Sequence, residues 1–147
     1  MLIAAWVETN DNVKWLHSNK SFTWTSERDG WRHLYRVSRD GQNIAPITKG
    51  NFDYISPVGT DLKRGYTYFI ASPDNFTQRY LYRAKLSGKG EAERVSPLNQ
   101  AGQHSYQMSP SGEWAVHTFS NAATPPVVDM VSFPKHNSVR TIEDNAK

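Results

Sequence analysis

The sequence predicts an all-β protein, a partial β-propeller of about three four-stranded antiparallel blades. Apolar and polar residues alternate with a period of two, and a four-strand pattern recurs about every 47 residues. Five Trp and seven Tyr also favour strands, because aromatic side chains fit the pleated surface of a sheet. A hydrophobic content of 37% is adequate for a packed core.

Short apolar stretches are the predicted strands, and turn residues separate them. The clearest of these stretches are 22–24, 34–37, 66–70 and 81–84. Turn signals occur at 17–20, 28–30, 40–41, 73–75 and 111–112. No window has the apolar stripe of an amphipathic helix, so the pattern indicates a succession of antiparallel hairpins.

The repeat is measured from equivalent positions in three units. Serines that close a strand lie 46 and then 48 residues apart, at Ser26, Ser72 and Ser120. The next strand begins at positions 47 residues apart, which are Leu34, Leu81 and Val128. Repeats of about 40–50 residues with four short strands are typical of propeller blades. The predicted blades are approximately 13–48, 52–96 and 104–142.

The first two units also end alike, with Ile47-Thr48 and Val95-Ser96. A β-sandwich is the alternative fold, because turns every ~8–12 residues suit it as well, but the regular spacing favours blades.

Propellers close into a ring of about four to eight blades. Three units therefore predict a longer natural protein. For this segment alone we expect a homo-oligomer that pairs through its exposed blade faces.

The segment Ser26–Tyr35 reads SERDGWRHLY and resembles the SERDG-W-HLY hairpin in the propeller of bacterial dipeptidyl peptidase IV-like serine peptidases. VSRDG at 37–41 and ITKGNF at 47–52 resemble that family's DG turn and its crossover into the next blade. RTIEDN at 140–145 resembles the last propeller strand before the hydrolase domain. The resemblance implies that the chain is the C-terminal part of the family's N-terminal propeller.

The candidate site residues all belong to this hairpin, and we assign them a structural role. They are Ser26, Glu27, Arg28, Asp29, Gly30, Trp31, His33 and Tyr35. Asp29-Gly30 supplies a turn with a positive φ. Trp31 and Tyr35 are expected on one face of the ladder, and the charged side chains of the hairpin are expected to pair across it.

The chain is not expected to catalyse a reaction itself. The resemblance implies a longer parent protein that removes dipeptides from peptide N-termini with a Ser-Asp-His triad on an α/β-hydrolase domain. That chemistry needs a strand-to-helix elbow that exposes the serine, and no Gly-x-Ser-x-Gly occurs here. The family's paired Glu residues that hold the substrate amine are also unmatched. The expected partners are therefore the hydrolase domain of the same parent chain and, in the parent, peptide substrates.

Metal and cofactor chemistry is not predicted. The histidines are far apart in the sequence and match no metal motif: His17, His33, His104, His117 and His136. Core positions between neighbouring sheets, instead of a stacking platform for sugars or bases, are expected for Trp15, Trp24, Trp31 and Trp114. The chain has no Cys, which excludes a disulfide, a thiolate metal site and a cysteine nucleophile.

Charge and hydropathy limit the remaining partners. The net charge of +3 is scattered along the chain, which argues against nucleic-acid binding. No membrane span and no targeting segment are recognised, and the resemblance implies a periplasmic or cell-surface parent. The leading hypothesis is a propeller segment that gates and positions peptides. The alternative is a free-standing TolB-like propeller that serves as an interaction scaffold. The SPSGEW segment at 109–114 resembles the opening of a repeat in such propellers.

Overall fold

The computed structural model describes residues 12–16 and 19–145, and the regular secondary structure in this part of the chain consists of β-strands. The strands are β1 (Lys14–Leu16), β2 (Ser21–Ser26), β3 (His33–Ser38), β4 (Ile44–Pro46), β5 (Ser56–Asp61), β6 (Tyr66–Ala71), β7 (Tyr80–Lys85), β8 (Glu93–Arg94), β9 (Gln103–Met108), β10 (Trp114–Asn121), β11 (Thr124–Ser132) and β12 (Asn137–Glu143). Among these residues there is no helix of the length and apolarity needed to cross a bilayer.

Each group of four consecutive strands forms its own antiparallel sheet. Neighbours in the first sheet follow the order β1-β2-β3-β4, and the second (β5 to β8) and third (β9 to β12) sheets repeat this order. The predicted all-β architecture of three four-stranded antiparallel blades is confirmed. A sandwich would have two sheets, so the alternative fold is wrong.

The second sheet is covered on both of its faces. Side chains alternate along β6, so Phe69 and Ala71 pack with the first sheet while Tyr68 and Ile70 pack with the third. Tyr68 and Phe69 are completely buried. Full burial of a large apolar side chain stabilises the folded state by about 1.5–3 kcal/mol. A sheet with two apolar faces between two other sheets is the arrangement of a propeller blade.

Two separate cores hold the three sheets together. The core between the first and second sheets contains Leu16, Leu34, Ile47, Phe52, Tyr54, Phe69, Ala71, Tyr80, Tyr82, Ala84 and Leu86. The core between the second and third sheets contains Tyr68, Ile70, Leu81, Ala115, Val131 and Phe133. Side chains from these cores cover the inner faces of all three sheets.

The prediction that all four tryptophans fill the space between sheets is wrong, because neither of the two cores contains a tryptophan. Trp15 is 47% exposed and Trp114 is 43% exposed, whereas Trp24 and Trp31 are half-buried. Leu16 and Ala115, the neighbours of the exposed pair, point into the cores, so the alternation of a strand directs Trp15 and Trp114 outwards. Both lie on outer faces that the described residues do not cover with another sheet.

Candidate functional site

The Ser26–Tyr35 hairpin lies at the end of the first sheet where β2 joins β3. Its ladder closes with the pair Ser26 and His33, and residues 27–32 form the loop. The N–H of Gly30 donates to the carbonyl of Glu27 at 3.0 Å. Gly30 has a φ of +95°, a conformation that a residue with a Cβ rarely adopts. The positive-φ turn predicted from Asp29-Gly30 is therefore present at Gly30.

Asp29 fixes the histidine of this hairpin. Its Oδ2 atom lies 2.8 Å from Nδ1 of His33, and its Oδ1 atom accepts a 3.4 Å hydrogen bond from the N–H of Trp31. Burial raises the pKa of the Asp29 carboxyl, but these hydrogen bonds outweigh it and hold the pKa below its usual value. The ring of His33 is buried and packs edge-on against Phe52 at 5.7 Å. The carboxylate thus orients a ring that belongs to the core.

The side chains of the loop pair locally, with one departure from expectation. Trp31 precedes the first residue of β3, so the prediction that Trp31 and Tyr35 share one face of the ladder is wrong. Arg32 and Glu27 form an ion pair at 3.0 Å, in which both side chains are at least 40% exposed. Exposed pairs of this kind stabilise a protein by less than about 1 kcal/mol. The guanidinium of Arg28 lies over the ring of Tyr35 at 5.2 Å.

The same loop holds the chain segment that crosses into the second sheet. The N–H of Arg32 donates to the carboxylate of Asp53 at 2.8 Å, and the N–H of Tyr54 donates to the carbonyl of Arg32 at 2.7 Å. These bonds join the first sheet to the start of the second. They support the structural role assigned to the hairpin, since they attach it to the next part of the chain.

A second polar cluster, which the sequence analysis missed, lies on the face of the third sheet that packs against the second. We call it the histidine cluster; it consists of His104, Tyr106, His117, Asp129 and His136. Its three histidines are separate in the sequence, where successive ones lie 13 and 19 positions apart. Strand pairing places Tyr106 opposite His117, and His117 opposite Asp129. The sequence signal that could have revealed the pair of His117 and Asp129 is the hairpin of β10 and β11, because its register places these two residues opposite each other.

Hydrogen bonds connect the histidine cluster into a chain. The carbonyl of Gln100 lies 2.9 Å from Nε2 of His104, whose Nδ1 lies 2.9 Å from Nε2 of His117. Nδ1 of His117 lies 2.8 Å from Oδ1 of Asp129. A separate bond of 2.8 Å joins Nε2 of His136 to the hydroxyl of Tyr106. The rings also pack on each other, with 5.1 Å between the centroids of His104 and His117.

Burial controls the protonation of the histidine cluster. It lowers the pKa of His104 to about 4, although the carbonyl of Gln100 opposes this change. Burial also lowers the pKa of His117, against the effect of Asp129, and it lowers the pKa of His136. The uncharged forms of the imidazoles are therefore favoured between the sheets.

The fold encloses the nitrogens of two histidines of the cluster. His104 and His117 are 3% and 2% exposed, so a substrate does not reach their nitrogens. Within residues 12–16 and 19–145, no group of three or more His, Cys, Asp or Glu side chains is arranged to hold a metal ion. The hydrogen bonds of the cluster are made within the third sheet and the loop before it, and the hairpin bonds to the crossover into the second sheet.

Comparison with known proteins gives the family. Residues 3–126 match the family described as dipeptidyl peptidase IV (DPP IV) N-terminal region. A probable dipeptidyl-aminopeptidase B of Emericella nidulans is 27% identical over 98% of this chain, and one of Coccidioides posadasii is 30% identical over 69%. The chain spans only 17% and 11% of the lengths of these two relatives.

Solved structures agree with the fold. The crystal structure of Porphyromonas gingivalis dipeptidyl peptidase 4 matches 91% of this chain, and 18% of its own, with a TM-score of 0.77 and 28% identity. A putative dipeptidyl aminopeptidase IV from Bacteroides ovatus matches 90% of this chain and 21% of its own, with a TM-score of 0.75 at 19% identity. With three successive four-stranded sheets and a family match over residues 3–126, the chain belongs to the family of dipeptidyl peptidase IV N-terminal regions.

Proposed function

We propose that the chain forms consecutive blades of a propeller that walls the substrate chamber of a dipeptidyl peptidase IV-like serine exopeptidase. Its part in proteolysis is to admit peptides by size and to position them. An α/β-hydrolase domain of the same parent chain carries out the cleavage, and the parent acts in the periplasm or at the cell surface. The observation that carries this proposal is the family match over residues 3–126, together with relatives named dipeptidyl-aminopeptidase B.

The chemistry of the described residues supports a non-catalytic role. A serine peptidase needs an accessible histidine that takes the proton of the serine hydroxyl. Here the imidazoles of His33, His104 and His117 are buried. Their hydrogen bonds go to the carboxylates of Asp29 and Asp129, to the Gln100 carbonyl and between the rings of His104 and His117. These rings support the packing of sheets.

A cleavage assay tests the assignment of catalysis to another domain. The purified 147-residue chain and the full-length parent are incubated with a dipeptidyl p-nitroanilide, with and without a serine-directed inhibitor. We expect cleavage by the parent, blocked by the inhibitor, and none by the chain alone. Inhibitor-sensitive cleavage by the chain alone would overturn the assignment.

A second assay tests gating by size in the parent. The same N-terminal dipeptide is presented on a short peptide and on a stably folded protein. Gating predicts that kcat/KM falls by orders of magnitude for the folded substrate, because it does not enter the chamber. Equal values for both substrates would contradict gating.

The parent gene separates this proposal from the scaffold alternative. A strand-to-helix elbow with Gly-x-Ser-x-Gly is expected within the few hundred codons that follow Lys147 in the gene. Finding no such elbow would favour the free-standing TolB-like scaffold.

A further inference from the structure

The hydrogen-bond chain of the histidine cluster accepts a limited number of protons. It begins at the carbonyl of Gln100 and ends at the carboxylate of Asp129, and both ends accept hydrogen bonds. Between two acceptors, the three bonds through His104 and His117 need three protons on the four ring nitrogens. Two neutral imidazoles carry two protons, so one of the three contacts then lacks a hydrogen, and a single added proton supplies it. Two imidazolium ions carry four protons, one more than the contacts accept.

A fourth proton has no acceptor in this chain. It would direct an N–H of His104 and an N–H of His117 at each other across 2.9 Å, with a positive charge on each ring. The carboxylate of Asp129 balances one of these charges. His136 adds a third imidazole, whose centroid lies 4.8 Å from that of His117. The cluster therefore cannot hold all three of its histidines in the charged form while it stays buried.

The second sheet provides the cover that keeps water from these rings. Tyr80 of β7, which also belongs to the core between the first and second sheets, packs against His104 with 5.5 Å between the ring centroids. The guanidinium of Arg94, next to β7 in β8, lies 3.5 Å from the centroid of the Tyr80 ring and adds a positive charge near His104. From the third sheet itself the rings face Tyr106 and Asp129. The second sheet thus contributes a cation and an aromatic ring to the surroundings of His104. Water would hydrate protonated histidines only if the second sheet moved away from the third.

We propose that the contact between the second and third sheets is an acid-sensitive joint, which opens when His104 and His117 are both protonated. The third sheet is then released from the second, while the first and second sheets stay packed through their separate apolar core. This proposal concerns the joint alone and does not depend on the proposed role in proteolysis.

The direction of the pH dependence follows from the histidines. Their ordinary pKa is 6.5, and burial lowers the pKa of His104 to about 4. Between these values the separated sheet takes up more protons than the packed sheet does, so the joint weakens as the pH falls through this interval. Above pH 6.5 the histidines are neutral in both states, and this loss is absent.

Hydrogen exchange of the complete chain, followed by mass spectrometry at pH 7.5 and pH 4.5, tests the proposal. After correction for the intrinsic exchange rate, we expect protection of residues 103–132 to fall about tenfold or more at pH 4.5. Protection of residues 21–38 in the first sheet should change much less. Unchanged protection of 103–132, or an equal loss in both segments, would overturn the proposal.

Two variants and one titration complete the test. His104→Gln removes an ionisable imidazole from the hydrogen-bond chain and should make the exchange of residues 103–132 much less dependent on pH. His33→Gln replaces an equally buried histidine of the first sheet and should leave that dependence unchanged. If His104→Gln fails to fold, a titration of nitrogen-15-labelled histidines in the unaltered chain decides. A His104 ring that protonates near pH 6.5 or above would overturn the proposal, and one that stays neutral to about pH 4 would support it.

Discussion

The hydroxyl of Thr48 accepts a hydrogen bond of 2.9 Å from the backbone N–H of Leu34, and both residues are buried. The second sheet has the same contact, in which the hydroxyl of Ser96 accepts a 3.2 Å bond from the N–H of Leu81. Backbone bonds add to each contact, since Ile47 donates to Leu34 and Val95 donates to Leu81. Each crossover is thus fastened to the third strand of the sheet that it leaves.

Thr48→Val tests this connection. The change keeps the shape of the side chain but leaves the buried N–H of Leu34 without that acceptor, so we expect a loss of about 1–3 kcal/mol in the free energy of unfolding. Urea unfolding followed by tryptophan fluorescence measures it. Thr48→Ser keeps the hydroxyl, so its free energy of unfolding should fall clearly less than that of Thr48→Val. Equal stability of the Val and Ser variants would show that the hydroxyl is not the source of the effect.

The repeat of this contact explains why the fold could be predicted from the sequence. Leu34 and Leu81 lie 47 residues apart, and Thr48 and Ser96 lie 48 apart. The second and third strands of both sheets are each six residues long. Small hydroxyl residues recur there because the hydroxyl replaces a backbone acceptor at the crossover. The third unit follows the spacing less closely. Its strands β10 and β11 continue to the pair Asn121 and Thr124, so a tight turn joins them where the other two units have a long loop.

Phe69→Ala tests the apolar core between the first and second sheets. Phe69 is fully buried and stacks with Tyr54 at 5.1 Å, so the cavity left by the truncation should cost about 3–5 kcal/mol. Phe76→Ala is the matched control, because Phe76 is 76% exposed. It should change the free energy of unfolding by less than about 0.5 kcal/mol. Similar losses for both variants in urea unfolding would contradict the assigned core.

Asp61→Asn tests the buried carboxylate of the last residue of β5. Asp61 pairs with the guanidinium of Arg64 at 2.8 Å and accepts the N–H of Arg64 at 2.9 Å. Burial raises the pKa of Asp61, but the bonds from Arg64 outweigh it and hold the pKa below 3.8. The stabilisation is therefore present above pH 3.8 and is lost as the pH falls through the lower pKa of the folded state.

The expected result is a variant that is less stable than the unaltered chain by about 1–3 kcal/mol at pH 7. This difference should shrink as the pH falls below 3.8, where the carboxyl of the unaltered chain becomes protonated as well. Thermal unfolding across this pH range measures it. Asp74→Asn changes an exposed carboxylate and is the control. A difference that is constant with pH would contradict the role of the ionised carboxylate.

The outer face of the third sheet predicts self-association of the isolated chain. Strand pairing places Val116 opposite Met130, and their alternation puts both on the same side as the exposed Trp114. Uncovered apolar faces of this kind favour pairing between copies. We expect light scattering to show a mass that rises with concentration, and Trp114→Glu to reduce the rise. A monodisperse monomer of the unaltered chain at high concentration would contradict this prediction.

The histidine cluster shows what the sequence did not reveal. His104 and His117 meet only because the register of β9, β10 and β11 is fixed by turn lengths, which local patterns define poorly. Trp15 and Trp114 were misplaced for a related reason. An outward and an inward tryptophan have the same local sequence pattern, and the difference depends on which faces another sheet covers.

The structure of the full-length parent protein tests the central claim, that these sheets are successive blades of a larger propeller. The account predicts that a further sheet packs on the outer face of the third sheet and buries Trp114 and Met130, which are 43% and 36% exposed here. A parent structure in which that face remains open to solvent, or in which the three sheets form a body without further blades, would contradict the account.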